Sequence, residues 1–340
     1  MKEDFYLGPF NSSIDNNGTT TFKNVDILKL DKNNNFIIKN SIEIKKTKED
    51  LISKSSTINY KSLKNRLNKI NNPIIPKIFK NHKKPLIMGI LNITKDSFYD
   101  GGRYFEYKNA LKHSEKLLKE GADIIDVGGE STRPGSLAVN VEEEIKRIKP
   151  IIKELKKSNI FVSCDTRNSL TMNVALDLGA DIINDVSGLN HDQDTLNILK
   201  KYKCLYILMH SIENPATMQN NPIYNNVACD IYNFFIKKLM TLKNMNISEE
   251  RLILDPGIGF GKTINHNYTI LKYLNVLLDL GHPLMIGVSR KSFIKKMVKS
   301  NSLPSSILLA INAYAKGASI LRVHDVEETK LAVNIFKKAN

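Results

Sequence analysis

From Pro85 onward one pattern recurs eight times: a short, nearly unbroken apolar run, then a longer stretch with apolar residues at helical spacing. The runs are Leu86 to Leu91, Asp123 to Val127, Ile160 to Cys164, Asp181 to Ile183, Leu205 to Met209, Leu252 to Leu254, Leu284 to Ile286 and Ser319 to Val323. Such runs are too short for helices and suit strands buried on both faces of a parallel sheet. Strands alternating with helices need crossover connections. Eight units in roughly 250 residues predict an α/β architecture, a closed (β/α)8 TIM barrel, with an open doubly wound sheet as the alternative. The helices carry their own punctuation. Asn140 and Glu143 make a capping-box pattern ahead of Ile145, Ile148, Ile152 and Leu155, Pro150 is expected to kink that helix, and Gly317 closes a helix from Ser305 to Lys316.

Residues 1 to 80 read differently and are expected to form a small N-terminal α+β accessory module, partly flexible and of unknown function, ahead of a barrel domain over 81–340. Phe22 to Leu30 and Phe36 to Ile44 look like strands of a hairpin around the polar turn from Asp31 to Asn35. Thr47 with Asp50 suggests a helix cap, and Leu63, Leu67 and Ile70 share one face of a second helical segment that Pro73 and Pro76 end.

A barrel of this kind carries its chemistry at the carboxyl ends of its strands. The first strand opens there into Asn92, Thr94, Asp96, Ser97, Asp100 and two glycines. The second is followed by Gly128-Gly-Glu-Ser-Thr-Arg-Pro-Gly135, the third by Asp165-Thr-Arg167, the fourth by Asn184-Asp185. Then come His210, Asp255 with Pro256-Gly-Ile-Gly-Phe-Gly-Lys262, Ser289-Arg-Lys-Ser292, and Arg322 with His324. Any one is an ordinary cap or satisfied side chain; their convergence on one rim is the functional signal. Gly261-Lys-Thr263 resembles the end of a phosphate-cradling loop, but Pro256 stands where its first glycine belongs, so nucleoside triphosphate binding is not expected.

The residue types suggest a substrate. Arg133, Lys291, Arg322 and His324 supply donors to an anion such as a phosphate. Asn92, Thr94 and Asp100 are hard oxygen ligands of the type Mg²⁺ takes when it bridges to phosphates. Asp165, Asn184 and Asp255 suit the edge of a nitrogen heterocycle, since a carboxylate accepts parallel hydrogen bonds from an amino group and a ring N–H.

These blocks carry a family resemblance. MGILNITKDSFYDGG, GADIIDVGGESTRPGS, SCDTRN, IINDVSGL, LDPGIGFGK, GVSRKSFI and RVHDV occur in the order found in dihydropteroate synthases, over about Pro85 to Asn340. The resemblance implies condensation of 6-hydroxymethyl-7,8-dihydropterin diphosphate with 4-aminobenzoate in folate biosynthesis. It implies pterin binding by Asp165, Asn184, Asp255 and Lys291, and diphosphate binding by Thr132, Arg133, Arg322 and His324. Phe98, Pro134, Phe260 and Ser292 would surround aminobenzoate, Asn92 and Asp100 would meet Mg²⁺, and Asp100 and Lys291 would act nearest the reacting centre. Family analogy suggests a homodimer. Lys95, where the family usually has proline, and Ser211-Ile-Glu-Asn214 depart from its pattern. The folate-binding barrel of a corrinoid methyltransferase and a non-catalytic pterin-binding paralogue are the competing readings.

The remaining composition is consistent with this. A formal net charge of +15 is spread among Asn and Ile rather than gathered in a block, so no nucleic-acid partner is expected. Three cysteines without CxxC spacing suggest neither a disulfide framework nor a zinc site, and with no apolar stretch of membrane-spanning length a cytoplasmic protein without a membrane partner is expected.

Overall fold

The computed structural model describes residues 5–44, 59–80, 85–93, 103–130, 139–211, 222–298 and 301–340. Three strands form an N-terminal antiparallel sheet: β1 (Tyr6–Ile14), β2 (Thr20–Leu30) and β3 (Phe36–Glu43). Two helices, α1 (Tyr60–Asn71) and α2 (Lys77–Lys80), lead to the barrel. Its strands are β4 (Leu86–Asn92), β5 (Ile124–Gly128), β6 (Val162–Asp165), β7 (Ile182–Asp185), β8 (Leu205–Met209), β9 (Leu252–Asp255), β10 (Leu284–Ile286) and β11 (Ala318–Val323). Each runs parallel to its neighbours, and β11 beside β4 with β10 beside β9 closes the ring. The crossover helices are α3 (Arg103–Lys119), α4 (Val141–Lys157), α5 (Ser169–Asp177), α6 (Thr195–Lys201), α7 (Val227–Asn244), α8 (Ile264–Lys272), α9 (Ser292–Val298), α10 (Leu303–Ala315) and α11 (Val326–Ala339). The closed barrel, not the open sheet, is the fold.

Alternation within each strand sorts its side chains into two environments. Ile87, Leu91, Ile125, Val127, Val162, Ile183, Leu208, Leu254, Ile286 and Leu321 point outward into the main core with the helices. Their neighbours Leu86, Met88, Ile124, Ile182, Ile207, Ile253, Met285 and Ile320 form a second cluster, which Ile78 and Phe79 of α2 join. A buried Leu or Ile contributes about 1.5–3 kcal/mol, so this apolar floor anchors the barrel. Two residues further along β5, β7, β9 and β11 the same inward positions are Asp126, Asn184, Asp255 and Arg322. The barrel interior therefore changes from apolar to polar toward the carboxyl ends of its strands.

Several local expectations change. The expected hairpin is a three-stranded sheet, because Tyr6–Ile14 pairs along β2. Glu143 closes no capping box: Asn140 accepts from the backbone of Glu142, and Glu143 pairs with Arg147 instead. The cap suggested for Thr47 and Asp50 lies outside the described residues.

The N-terminal sheet is packed on both faces. Leu7, Val25, Ile27 and Ile42 meet Leu63 and Leu67 of α1. Tyr6 turns the other way, its ring edge-on to Tyr232 of α7 at 5.3 Å. Arg66 on α1 donates to Asp279, in a short 3-10 helix over Leu274–Leu280 of the barrel, and to the carbonyl of Phe5, with its guanidinium 4.4 Å from the Phe5 ring. The Asp279 side chain is wholly buried. Burial raises its pKa, and Arg66 and the Tyr232 hydroxyl oppose that.

Removing one partner of such a pair strands a charge in the interior. Arg66→Met is therefore expected to lower unfolding free energy by about 3–5 kcal/mol in urea titrations. Adding Asp279→Leu should recover part of the loss. A single variant within about 0.5 kcal/mol of the wild type, the usual range for surface changes, would mean the sheet is not coupled to the barrel through this pair.

Candidate active site

The polar layer at the strand ends is built around one cation. Arg322, from β11, donates through Nε to Asp126 Oδ2 at 2.6 Å and through Nη2 to Asp165 Oδ2 at 2.7 Å. The Asp126 side chain is fully buried and that of Asp165 3% exposed. Asn184 Nδ2 also donates to Asp126 Oδ2, at 3.1 Å. Strands β5, β6, β7 and β11 thus meet in one network. Burial holds the Asp165 carboxyl above the usual range; Arg322 opposes this and Asp126 reinforces it. Burial works against the charge on Arg322 too, but the two carboxylates outweigh it and raise its pKa.

Three acceptor atoms of this network, Asp126 Oδ1, Asp165 Oδ1 and Asn184 Oδ1, are buried without a partner among the described residues. Buried polar atoms are almost always satisfied, so three neighbouring exceptions mark a place for donors from outside the chain.

Asp255 and Lys291 complete the layer. Asp255 Oδ1 accepts from the backbone of Gly257 at 2.7 Å, and burial raises its pKa against the pull of that bond and of Lys291. Gly257 has φ +68°, and a Cβ there would stand 2.1 Å from the His210 carbonyl oxygen, so only glycine fits. Lys291 sits with its ammonium 4.3 Å from the centre of the Phe260 ring. Burial lowers its pKa to about 8, helped by Arg322 and resisted by Asp255 and Asp165. Phe260 packs with Val186 and Met209.

At the outer edge, His324 is held by Ser289, whose Oγ accepts from the His324 backbone N–H at 3.2 Å and bonds its Nδ1 at 3.1 Å. Burial, then Arg322, drives the His324 pKa down to about 3, so the ring is neutral near pH 7. Asn92 ends β4 half-buried, and a Cβ placed on Gly128 would meet its Oδ1 at 3.4 Å and Asp165 Oδ2 at 3.7 Å. Asn92 therefore presents a hard oxygen beside the carboxylate layer, next to Gly128, a placement that fits an Mg²⁺ ligand.

The structure thus gathers Asp165, Asn184, Asp255, Lys291, Arg322 and Phe260 at one end of the barrel, with His324 and Asn92 bordering them. Ser292 starts α9 on the exposed surface. Phe98, Asp100, Thr132, Arg133 and Pro134, like Lys95, lie outside the described residues. Among described residues no cluster of three or more His, Cys, Asp or Glu is arranged to hold a metal.

Two features were missed from sequence. Asp126 shares Arg322 and Asn184 with the rim residues, and its signal was a carboxylate interrupting the apolar run of β5. Lys262, set aside with the phosphate-loop lookalike, is 4% exposed and donates to the Phe260 carbonyl at 2.8 Å, with its ammonium 3.0 Å from His210 Nδ1. Burial brings its pKa down to about 7.

Known proteins resemble this chain in sequence and fold. A model of the pterin binding enzyme family matches residues 88–324. The dihydropteroate synthase of Escherichia coli strain K12 is 40% identical over 257 residues, 74% of this chain and 91% of that protein. That of Neisseria meningitidis serogroup C is 43% identical over 262 residues, covering 75% and 92%. Among solved structures, the Xanthomonas albilineans dihydropteroate synthase with 4-aminobenzoic acid superposes with TM-score 0.70 at 36% identity, covering 75% of this chain and 93% of that one. The Burkholderia cenocepacia dihydropteroate synthase complexed with 7,8-dihydropteroate gives 0.68 at 33%, covering 76% and 92%.

Arg322→Ala would leave Asp126 and Asp165 facing each other without their cation. The native state would then hold a proton that the unfolded chain, with ordinary Asp near pH 4, has already released. More protons bound natively means stability falls as pH rises from about 4 toward neutrality. The variant's loss of melting temperature relative to wild type should therefore be larger at pH 7.5 than at pH 5. Equal losses at both values would mean Arg322 does not neutralise the pair.

Proposed function

This chain belongs to the dihydropteroate synthase family of pterin-binding enzymes, and we propose that its barrel joins 6-hydroxymethyl-7,8-dihydropterin diphosphate to 4-aminobenzoate, giving 7,8-dihydropteroate and diphosphate. It is a transferase of folate biosynthesis. The observation that carries the assignment of the pterin subsite is the trio of unpartnered buried acceptors on Asp126, Asp165 and Asn184. A dihydropterin, with ring N–H and amino donors on one edge, supplies what they lack.

In this reading Asp165, Asn184 and Asp255 take the heterocycle's donors and the Lys291 ammonium takes an acceptor on its other side. His324 is neutral with Nδ1 engaged by Ser289, which leaves Nε2–H for a diphosphate oxygen. Arg322, anchored at the floor, adds positive potential under the leaving group, and Thr132 and Arg133 complete the anion contacts. Phe260, with Phe98, Pro134 and Ser292, flanks aminobenzoate.

Bond making and breaking are then simple. The arylamine nitrogen attacks the exocyclic methylene of the pterin, the C–O bond to diphosphate breaks with its electron pair, and the nitrogen gives up its extra proton. An arylamine is a weak nucleophile, so catalysis comes from stabilising the departing anion and orienting the pair, not from a strong base. Asn92 and Asp100 are the proposed Mg²⁺ ligands, the ion supplying further charge neutralisation on the diphosphate when bound.

A cytoplasmic homodimer completes the reading. Three observations support it: Cys164, Cys204 and Cys229 are free thiols, no helix among the described residues is long and apolar enough to cross a membrane, and Leu308, Leu331 and Ile335 expose apolar side chains on the neighbouring helices α10 and α11. The anion-binding groups Lys291, Arg322 and His324 favour this reading over a methyl-carrying folate barrel, which has no diphosphate to hold.

Purified protein mixed with the pterin diphosphate, 4-aminobenzoate and Mg²⁺ should release diphosphate and form dihydropteroate; binding of pterin without turnover would instead identify a non-catalytic relative. Because Lys291 acts as a cation with a pKa near 8, kcat/KM should fall as pH rises through about 8. Lys291→Met should lower it about 100-fold at pH 7 and remove that limb. A limb that survives in the variant would assign it to another group.

A further inference from the structure

The N-terminal sheet lies outside the family match, which begins at residue 88, yet its polar turn reaches the strand-end rim of the barrel. Asn226, the N-cap of α7, donates through Nδ2 to the carbonyl of Asn34 at 2.8 Å. Its Oδ1 accepts from the backbone of Ala228 and Cys229, and Asp230 Oδ2 accepts from the backbone of Asn225 at 2.9 Å. The chain entering α7 is therefore fixed from both sides.

Two residues earlier, Tyr224 directs its hydroxyl to the carbonyl of Gly261 at 2.9 Å and sets its ring edge-on to His266 at 4.9 Å. Gly261 adjoins Phe260, whose own carbonyl is held by buried Lys262. The turn is itself rigid: Asp31 Oδ1 accepts from the backbone of Asn33 and Asn35, each at 2.8 Å, and Asn34 adopts φ +60°. Phe36, immediately after it, packs between Tyr6 and Tyr273. An unbroken set of short contacts thus runs from the turn to the loop that bears Phe260.

We propose that the turn between β2 and β3 is a positioning element for the aminobenzoate slot: through Asn226 it holds Tyr224 against the 257–262 loop, and so sets where the Phe260 ring stands. Asn226 and Tyr224 are positioning residues that touch no substrate. The inference rests on the reading of Phe260 as a wall of that slot. Its consequence is a substrate site tuned in part by a module that lies outside the family match. The effect is selective, because Asp165, Asn184 and Arg322 are fixed by barrel strands and do not depend on the turn.

The test uses the full chain and steady-state kinetics in both substrates. Asn226→Asp keeps a cap acceptor and loses the donor to Asn34; Tyr224→Phe loses only the hydroxyl. Each should raise KM for aminobenzoate about 5-fold, the equivalent of one ordinary hydrogen bond, while KM for the pterin diphosphate moves less than about 2-fold. The double variant should be no worse than the poorer single one, since both act through one path. Thr20→Val is the control: it removes a contact between sheet and barrel, Thr20 Oγ1 to the Tyr314 carbonyl at 2.8 Å, at the opposite end of the barrel. It should leave both KM values unchanged. The proposal is overturned if Asn226→Asp leaves the aminobenzoate KM at the wild-type value, or if Thr20→Val raises it as much. A wild type without turnover would sink the reading of the slot itself, and this proposal with it, whereas turnover with unmoved KM values sinks the proposal alone.

Discussion

The guanidinium of Arg322 is the interaction on which the polar half of this barrel depends. Two aspartates, Asp126 and Asp165, stand buried on neighbouring strands above the aliphatic layer of the barrel, and a charge taken out of water there is costly unless it is paired and hydrogen-bonded. One planar cation reaches both, through different nitrogens, from a strand that is adjacent to neither. The closed barrel turns β11, β5 and β6 toward one shared interior, where the long guanidinium side chain reaches past β4. The same network leaves one oxygen of each carboxylate, and the amide oxygen of Asn184, without a partner. A fully satisfied network would be stable and inert; one with vacant acceptors over a neutralised floor is prepared for a ligand rich in N–H groups.

Much of this was legible in the sequence, for identifiable reasons. A strand buried on both faces must be apolar at nearly every position, so all eight barrel strands stood out, and the catalytic end followed from where the polar residues began. Asp165 and Asp255 were visible because each ends its strand, and Asn184 because it breaks the apolar run one residue before the end of its own. Asp126 was not, since it lies inside an apolar run, and its importance comes only from Arg322, nearly two hundred residues away. Likewise β1 was missed: Gly8, Pro9, Asn11 and two serines are poor strand formers, and the segment is held by its pairing with β2, where an edge position tolerates proline. Capping of α4 by Asn140 was read correctly, whereas the partner of Glu143 was decided by Arg147, one helical turn ahead.

The N-terminal segment forms the expected α+β module, and the structure adds a third strand and the contacts that dock it. Its composition, rich in Asn, Lys and Ser, resembles that of a poorly ordered arm, yet its sheet places Tyr6, Leu28 and Phe36 on the barrel and Leu7, Val25, Ile27 and Ile42 on α1. Composition misleads here because few side chains do much of the anchoring: Tyr6 and Phe36 pack on barrel aromatics and Arg66 pairs with Asp279, while Thr20 and the carbonyls of Pro9, Gly18 and Asn34 add single hydrogen bonds. The buried Arg66 and Asp279 pair adds specificity of docking, since any shift of α1 along the barrel would leave both charges unpaired in the interior.

These two buried ion networks solve different problems with the same chemistry. At Arg66 every contact serves to fix one surface on another, and the aspartate that receives it lies away from the carboxyl ends of the strands, where a barrel has no catalytic role to fill. At Arg322 the cation is shared: it opposes the rise that burial imposes on the Asp165 carboxyl and still leaves one oxygen of each carboxylate open to further donors among the described residues. A second arginine there would satisfy the remaining oxygens and close the site to a heterocycle. No cation at all would favour a proton on Asp165 and convert an acceptor into a donor, reversing the hydrogen-bond pattern that a pterin edge requires. One cation for two carboxylates is the ratio at which the site is both stable enough to form and unsatisfied enough to bind.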